Sequence, residues 1–369
     1  MQKGITRLLK EKPALKSREI AKLLDLDRTK VSAHLHENRK IYYQDENFRW
    51  TLLESHIFVI QISSRSAWIA IEQFENALKS SGSPHDSDFI NVTIKLPPEC
   101  KVKLCAAARI LALSNQLANA GKKVVLDFTD SREAVSYLNR AGLFDRLHPS
   151  IKVLPRRPPS SSAQLFNANS KKLVELHEIG IPGGENVPDR LKQSFIAAAG
   201  DAHANVLFSA IGELVSNVEE HAGSDQPGFA GLQCYGENTT RGLQIQTVVS
   251  DSGVGICGTL RPILKQKYPE LMDEYDDKTP AADPKLVVRA FKKGGISRVD
   301  EEGRGLGLRN SGHSMEVLNG RLDIRQENFS VTLRYKDGDI TEHWELNLPR
   351  ILGTHIVFEI HLTNNQKSA

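Results

Sequence analysis

The sequence predicts a multidomain α/β protein, and three observations carry that expectation. At 369 residues the chain is longer than one ordinary core organises. Its apolar residues recur at helical spacing near the N-terminus, then alternate between strand-like and helix-like runs, and then form a long striped helix set among strands. Its 40% apolar and 25% charged residues are the balance of a folded globular chain, which excludes disordered and fibrous classes.

Residues 4 to 11 form a short first helix. "SREIAKLLDLDRTKVSAHLHENRKI" follows as helix, tight turn, helix. Ser17 stands as N-cap, with Ile20, Leu23 and Leu24 facing inward, and Asp27 caps the second helix, whose Val31 and Leu35 face the core. Glu19 falls only two residues after Ser17, so a full capping box is not expected. Arg28, Lys30, Ser32 and His34 then point outward. "IYYQDENFRWTL" reads as a β-hairpin around Gln44-Asp45-Glu46-Asn47. Three helices and a hairpin, over residues 1–54, resemble a winged helix. Residues 1–50 hold 12 Lys/Arg against 7 Asp/Glu while the whole chain is only +3, so any DNA contact is expected at this end, through Arg28, Lys30, Ser32 and His34.

Residues 55–84 are expected to be a connecting helix and a polar break, "SSGSPHDSD". A small α/β unit over 85–158 follows: strand "FINVTIKLP", a helix with Val102, Ala106, Ile110, Leu113 and Leu117 on one stripe, strand "KVVLDFT", helix "SREAVSYLNRAGLFDRL" and strand "IKVLP". That order, with an acidic residue ending the central strand, resembles the STAS domain of anti-anti-sigma factors. The family's Asp-Ser-Ser-Gly is replaced here by "TDSRE". Thr129 and Ser131 are therefore weak phosphoacceptor candidates, and a helix N-cap at Asp130 or Ser131 is the expected role. "PRRPPSSSAQ" opens a linker over 159–185.

In "NVLFSAIGELVSNVEEHAG", Leu207, Ile211, Leu214 and Val218 define a buried stripe, while Glu213, Asn217 and His221, spaced four apart, share an adjacent face. "LQIQTVVSDSGVGI" is a strand running into Asp251, then Gly253 and Gly255, where backbone can approach a flat ring closely. "FKKGGISRVDEEGRGLGL" is a polar, glycine-studded stretch that ends just before the helix "RNSGHSMEVLNG", where unpaired N–H groups and a positive dipole end suit phosphate. "GTHIVFEIHL" closes the chain as a strand after Gly353-Thr354.

E-x-x-x-N on a helix, D-x-G-x-G after a strand, G-x-G-x-G before a helix and G-T before the last strand resemble, in this order, the GHKL ATPase superfamily of gyrase, heat-shock chaperone, histidine kinase and mismatch-repair proteins. The pattern lies nearest to anti-sigma serine kinases. The resemblance covers residues 186–364 and implies a Bergerat-type α/β sandwich, with a mixed sheet and helices on one face, that binds ATP and Mg²⁺. It further implies that Asn217 ligates Mg²⁺. Asp251, with Thr354, would hold the adenine amine, and Gly253 and Gly255 would line the base. Gly303, Arg304, Gly305, Leu306, Gly307 and Leu308 would wrap the phosphates, Glu213 would activate the attacking oxygen, and His221 would brace the helix end. Lys292, Lys293 and Arg304 are further candidates for offsetting phosphate charge.

The activities left open are a protein Ser/Thr kinase acting on a STAS-type or sigma-regulatory partner, an ATPase switch that closes a lid over 258–302 and dimerises or rearranges, and a nucleotide-sensing DNA-binding regulator. No recognisable phosphoacceptor-His helix accompanies the site, which argues against autophosphorylation on histidine. No apolar run suits a membrane span and "MQKGITRLLKEK" lacks a secretory apolar core, so no membrane partner and a cytoplasmic location are expected. Cys100, Cys105, Cys234 and Cys257 fit neither a zinc nor a disulfide pattern.

Overall fold

A computed structural model describes residues 1–166, 170, 172–179, 186–201, 204–221, 227–236, 242–272, 274–275, 279–296 and 307–362. Helices and both parallel and antiparallel sheets are present, in three units.

The N-terminal unit comprises α1 (Gln2–Glu11), β1 (Leu15–Lys16), α2 (Ser17–Leu24), α3 (Arg28–Glu37), β2 (Tyr42–Gln44) and β3 (Arg49–Leu52). Ile5, Ile20, Val31, Leu35 and Trp50 form its buried centre. Asp27 caps α3 as expected, its Oδ1 accepting the Lys30 N–H at 2.9 Å. Ser17, in contrast, is the first helical residue, and Lys16 is the cap. That shift puts Glu19 at the third position, where its carboxylate accepts the Lys16 N–H at 2.7 Å. Leu23 is half-exposed, and Ile20 and Ala21 carry the inward face instead.

The middle unit starts earlier than its boundary at residue 85 suggested. Residues 57–61, expected as helix, form strand β4 (Ile57–Gln61), followed by β5 (Trp68–Ile69) and only then α4 (Ile71–Ser81). The run Ile57-Phe58-Val59-Ile60 is continuous, as suits a parallel strand with both faces partly covered, and lacks helical spacing. Then come β6 (Asn91–Lys95), β7 (Lys101–Val102), α5 (Leu104–Asn119), β8 (Lys123–Asp127), α6 (Arg132–Arg140), α7 (Leu143–Arg146), β9 (Lys152–Leu154) and α8 (Ser162–Leu165). Strands β4, β6, β8 and β9 pair in that order, all parallel. Right-handed crossovers between neighbours in a sequential sheet put the helices on one face.

The C-terminal unit likewise starts before residue 186: β10 (Leu173–Ile179) falls inside the expected linker and is an edge strand. It is followed by α9 (Val187–Ala199), α10 (Ala204–His221), β11 (Gly228–Tyr235), β12 (Leu243–Ser250), α11 (Gly255–Lys267), α12 (Ala282–Lys292), α13 (Gly307–Val317), β13 (Arg321–Gln326), β14 (Phe329–Lys336), β15 (Asp339–Glu345) and β16 (Thr354–Leu362). The seven strands lie in the order β10-β11-β12-β16-β13-β14-β15. Every pairing among them is antiparallel, which corrects the expected mixed sheet. Helices α11 and α12 also give regular structure to two parts of the stretch taken as a lid.

Helices were expected on one face of this sheet, yet both faces are covered. Ile356, Phe358 and Ile360 of β16 pack with Leu207, Ile211 and Leu214 of α10 and with α11–α13. Val357, one residue out of phase, joins the core of the middle unit with Val248, Phe229 and Leu176. The period-2 alternation of each strand thus feeds two cores. α5 lies between the two sheets, which explains why 14 of its residues are buried and why its apolar character extends beyond one stripe.

Candidate functional site

The site is built where β12 and β16 end side by side. Their ladder runs to Ser250↔His355, after which the Asp251 N–H donates to the Thr354 carbonyl at 2.9 Å. Alternation directs Asp251 and Thr354 to the same face as Ile356 and Val249, towards α10 and α11. Gly353 makes the close approach possible. Its φ is +83°, and a Cβ there would fall inside the contact shell of the Asp251 carbonyl oxygen.

The Asp251 carboxylate is buried, and burial pushes its pKa up to about 6, against hydrogen bonds from the Gly253 N–H and Thr354 that favour the charged form. The Gly253 N–H reaches Oδ1 at 2.7 Å. Thr354 Oγ1 accepts from Gln326 Nε2 at 3.0 Å, which frees its own proton for Asp251. Gln326 Oε1 in turn accepts the Ile256 N–H at 2.8 Å in the first turn of α11. Gly255 must lack a Cβ for this, since one would stand 2.6 Å from Gln326 Oε1.

α10 brings its polar face to this corner. A Cβ on Gly228 would overlap Val218 Cγ1 and lie 3.7 Å from Asp251 Cβ, so Val218, the neighbour of Asn217, stands next to Asp251. Glu213 meets the start of α13: a Cβ on Gly307 would lie 2.6 Å from Glu213 Oε2. Ser311 ties the two helices by donating to the Ala210 carbonyl at 2.9 Å. Glu213 and Asn217 are half-buried, and Gly307 opens α13 next to Glu213. Gly303, Arg304, Gly305 and Leu306 lie outside the described residues, as does the side chain of His221.

Other expectations turn out differently. Lys292 is engaged by Glu342 at 2.6 Å, while Lys293 is exposed. His34 does not point outward: it is half-buried, its ring 5.8 Å from that of Tyr42 and in contact with Asn38, because the position just before Leu35 turns towards the hairpin. Arg28 and Lys30 are exposed and Ser32 is half-buried. Ser131 is fully buried, and its hydroxyl donates to the Pro97 carbonyl, so it holds the turn before α6 and offers no free acceptor. Thr129 donates to Asp127.

Gln326 went unnoticed in the sequence, although the register Leu322, Ile324, Gln326 places a polar side chain on a buried face, where it needs partners. Gln116, on the apolar helix α5, is likewise a polar side chain on a buried face. Among the described residues no three His, Cys, Asp or Glu side chains gather as a metal site, and no helix is long and apolar enough to cross a membrane. No protein-family model matches the chain, and no curated protein matches it.

Proposed function

We propose that the C-terminal unit binds Mg-ATP and that the chain is a signalling or transcription regulator of the anti-sigma kinase type, transferring the terminal phosphoryl group to a partner or to water. One observation carries the reading: a buried carboxylate, Asp251, on the same corner as the Glu213–Asn217 face of α10.

The residues fit the ligand. A carboxylate offers about four lone-pair directions, and the Gly253 amide and the Thr354 hydroxyl leave room for an exocyclic amine at Asp251. Asn217 supplies an amide oxygen, the hard donor Mg²⁺ prefers, and the phosphates supply the further anionic ligands that a single amide lacks. Held there, Mg²⁺ would supply positive charge to offset that developing on the phosphoryl oxygens. The N-terminal turn of α13, with Gly307 against Glu213, would present backbone N–H groups to phosphate. Glu213 would take the proton from the attacking hydroxyl or water.

One observation bears on transfer within the chain: of the two middle-unit hydroxyls that the STAS resemblance singles out, Ser131 is buried on the Pro97 carbonyl, while Thr129 is exposed and donates to Asp127. The second reading is an ATPase switch, in which nucleotide state alters the grip of the N-terminal unit on DNA, through Arg28 and Lys30.

Titration calorimetry with Mg-ATP on the full chain is the first test: no heat of binding would end the nucleotide reading. γ-labelled ATP then separates the activities, with label on protein for the kinase, free phosphate for the switch and neither for a sensor. Glu213→Ala should retain binding and lose turnover.

A further inference from the structure

We infer that Gln116 of α5 is a positioning residue for the base-binding end of the site, so that the middle unit is a working part of it. For its ligand the inference rests on the nucleotide reading above, whereas the positioning itself is a property of the free chain.

Two loops make the base-binding end: Asp251-Ser252-Gly253 after β12 and Leu352-Gly353-Thr354 before β16. Beyond the last ladder pair the Asp251–Thr354 backbone bond joins them. Gln116 reaches both from the opposite side of the sheet. Its Nε2 donates to Ser252 Oγ at 2.9 Å and to the Leu352 carbonyl at 2.9 Å, and its Oε1 accepts the Leu352 N–H at 2.9 Å. A primary amide has two donors and an acceptor oxygen on one planar group, and all are used here, the oxygen also facing His85 Nε2 at 3.4 Å. Gln116 is 2% exposed, so water cannot replace what it supplies.

The Leu352 carbonyl takes a second bond from His355 Nε2 at 2.9 Å. Because that carbonyl can only accept, Nε2 carries the imidazole proton, and burial together with Arg109 keeps the ring neutral. Leu352 is therefore held at both its N–H and its C=O. Ser252 adjoins the carboxylate that would take the amine, and Leu352 lies two residues before Thr354. A single side chain of the middle unit thus ties together Ser252 and Leu352, the residues that flank the Asp251–Thr354 backbone bond on the two loops. A small displacement of α5 would pull on both loops at these flanking points.

The test uses the full-length chain with Gln116→Ala and Ser252→Ala, read by hydrogen exchange without nucleotide and by calorimetry with Mg-ATP, Mg-ADP and Mg-GTP. In Gln116→Ala, amides of 251–256 and 351–355 should exchange about 10-fold faster while those of 207–218 in α10 keep their rate, as expected for loss of a local clamp. Affinity for Mg-ATP and Mg-ADP should fall together by about 10-fold, and the preference over Mg-GTP should shrink, because the base end is disturbed and the phosphate end is not. Ser252→Ala removes one of the three bonds to these loops and should reproduce both effects at about 2- to 5-fold. It also carries the test if Gln116→Ala folds poorly. Unchanged exchange and unchanged base preference in a chain that binds Mg-ATP would overturn the positioning role alone, as would an equal rise in exchange in α10. A wild-type chain that takes up no adenine nucleotide would instead overturn the nucleotide reading, and the base-binding part of this inference with it.

Discussion

The two faces of the seven-stranded sheet are built from the same strands yet held by different forces. Towards α9–α13, the inward positions of β13 and β16 are Leu322, Ile324, Ile356, Phe358 and Ile360. Towards the middle unit, β13 presents Arg321, Asp323 and Arg325, and β16 presents His355. Glu75 of α4 lies between the buried guanidiniums of Arg109, 3.1 Å away, and Arg325, 3.3 Å away. Arg325 also donates to the carbonyls of Gln326, Glu327 and Pro349. One face therefore rests on area removed from water alone. The other shares that contribution, through Val357, Val248, Phe229 and Leu176, but adds buried charge, which is stable only while every partner is in place. The site lies at the edge common to both, since Gln326 and Thr354 are the immediate neighbours of Arg325 and His355 along their strands.

The largest effect should come from removing the charge that two cations share. Glu75→Ala leaves Arg109 and Arg325 buried without their carboxylate and is expected to cost about 3–5 kcal/mol in chemical denaturation. Replacing all three by apolar residues of similar volume should restore stability, and a triple variant as unstable as Glu75→Ala would show that packing, not charge, dominates this face.

Gly353→Ala should be next. Its positive φ and the contact with the Asp251 carbonyl combine strain of about 1–3 kcal/mol with separation of the two loops. Gly338→Ala, with φ +88° but open space around it, should cost only about 1 kcal/mol and leave nucleotide binding intact. Equal losses in the two variants would remove the special role of the close approach.

pH sharpens the comparison further. Asp251 titrates at about 6 in the folded chain against 3.8 ordinarily. Its contribution to stability is fully present below 3.8 and is lost as pH rises through 6. Ionisation at neutral pH thus costs stability but would provide the acceptor that the proposed nucleotide site needs. Mg-ATP affinity should fall as pH drops through about 6, by up to about tenfold per unit. Asp251→Asn should stabilise the free chain above pH 6 by about 1–3 kcal/mol while abolishing that pH dependence and weakening nucleotide binding. His355 opposes this trend. Its pKa is lowered by burial and Arg109, so its contribution is present above 6.5 and drains away as pH falls below that.

The smallest effects belong to the N-terminal unit. Arg28→Ala and Lys30→Ala should each weaken DNA binding uniformly across sequences and lower the salt slope by about 1, as measured by anisotropy at several salt concentrations. His34→Ala should instead lower the stability of the unit, because its ring packs on Tyr42.

Much of the C-terminal unit was legible because its signals are local. The stripe Leu207, Ile211, Leu214 and Val218 specifies α10, and alternation specifies β12 and β16. β4 was misread because a short apolar run has the same look in a buried strand as in a helix, and its partner β6 lies 34 residues on. Of the polar partners of the site, Gln326 is marked only by its register with Leu322 and Ile324, and Gln116 carries no signal of its own, since glutamine is ordinary on a helix until all of its faces are known to be buried.

The sequence by itself determined which residues share a face: Glu213 with Asn217 through the helical period, and Asp251 with Val249 through the strand period. Both follow from fixed backbone geometry within one element. Only the tertiary structure decided that Val218 would stand against Gly228 beside Asp251, that Gly307 would meet Glu213, and that a glutamine from another unit would join the two loops. Those contacts depend on how separate elements pack, and packing is fixed by the simultaneous fit of side chains from distant parts of the chain, which no local period encodes.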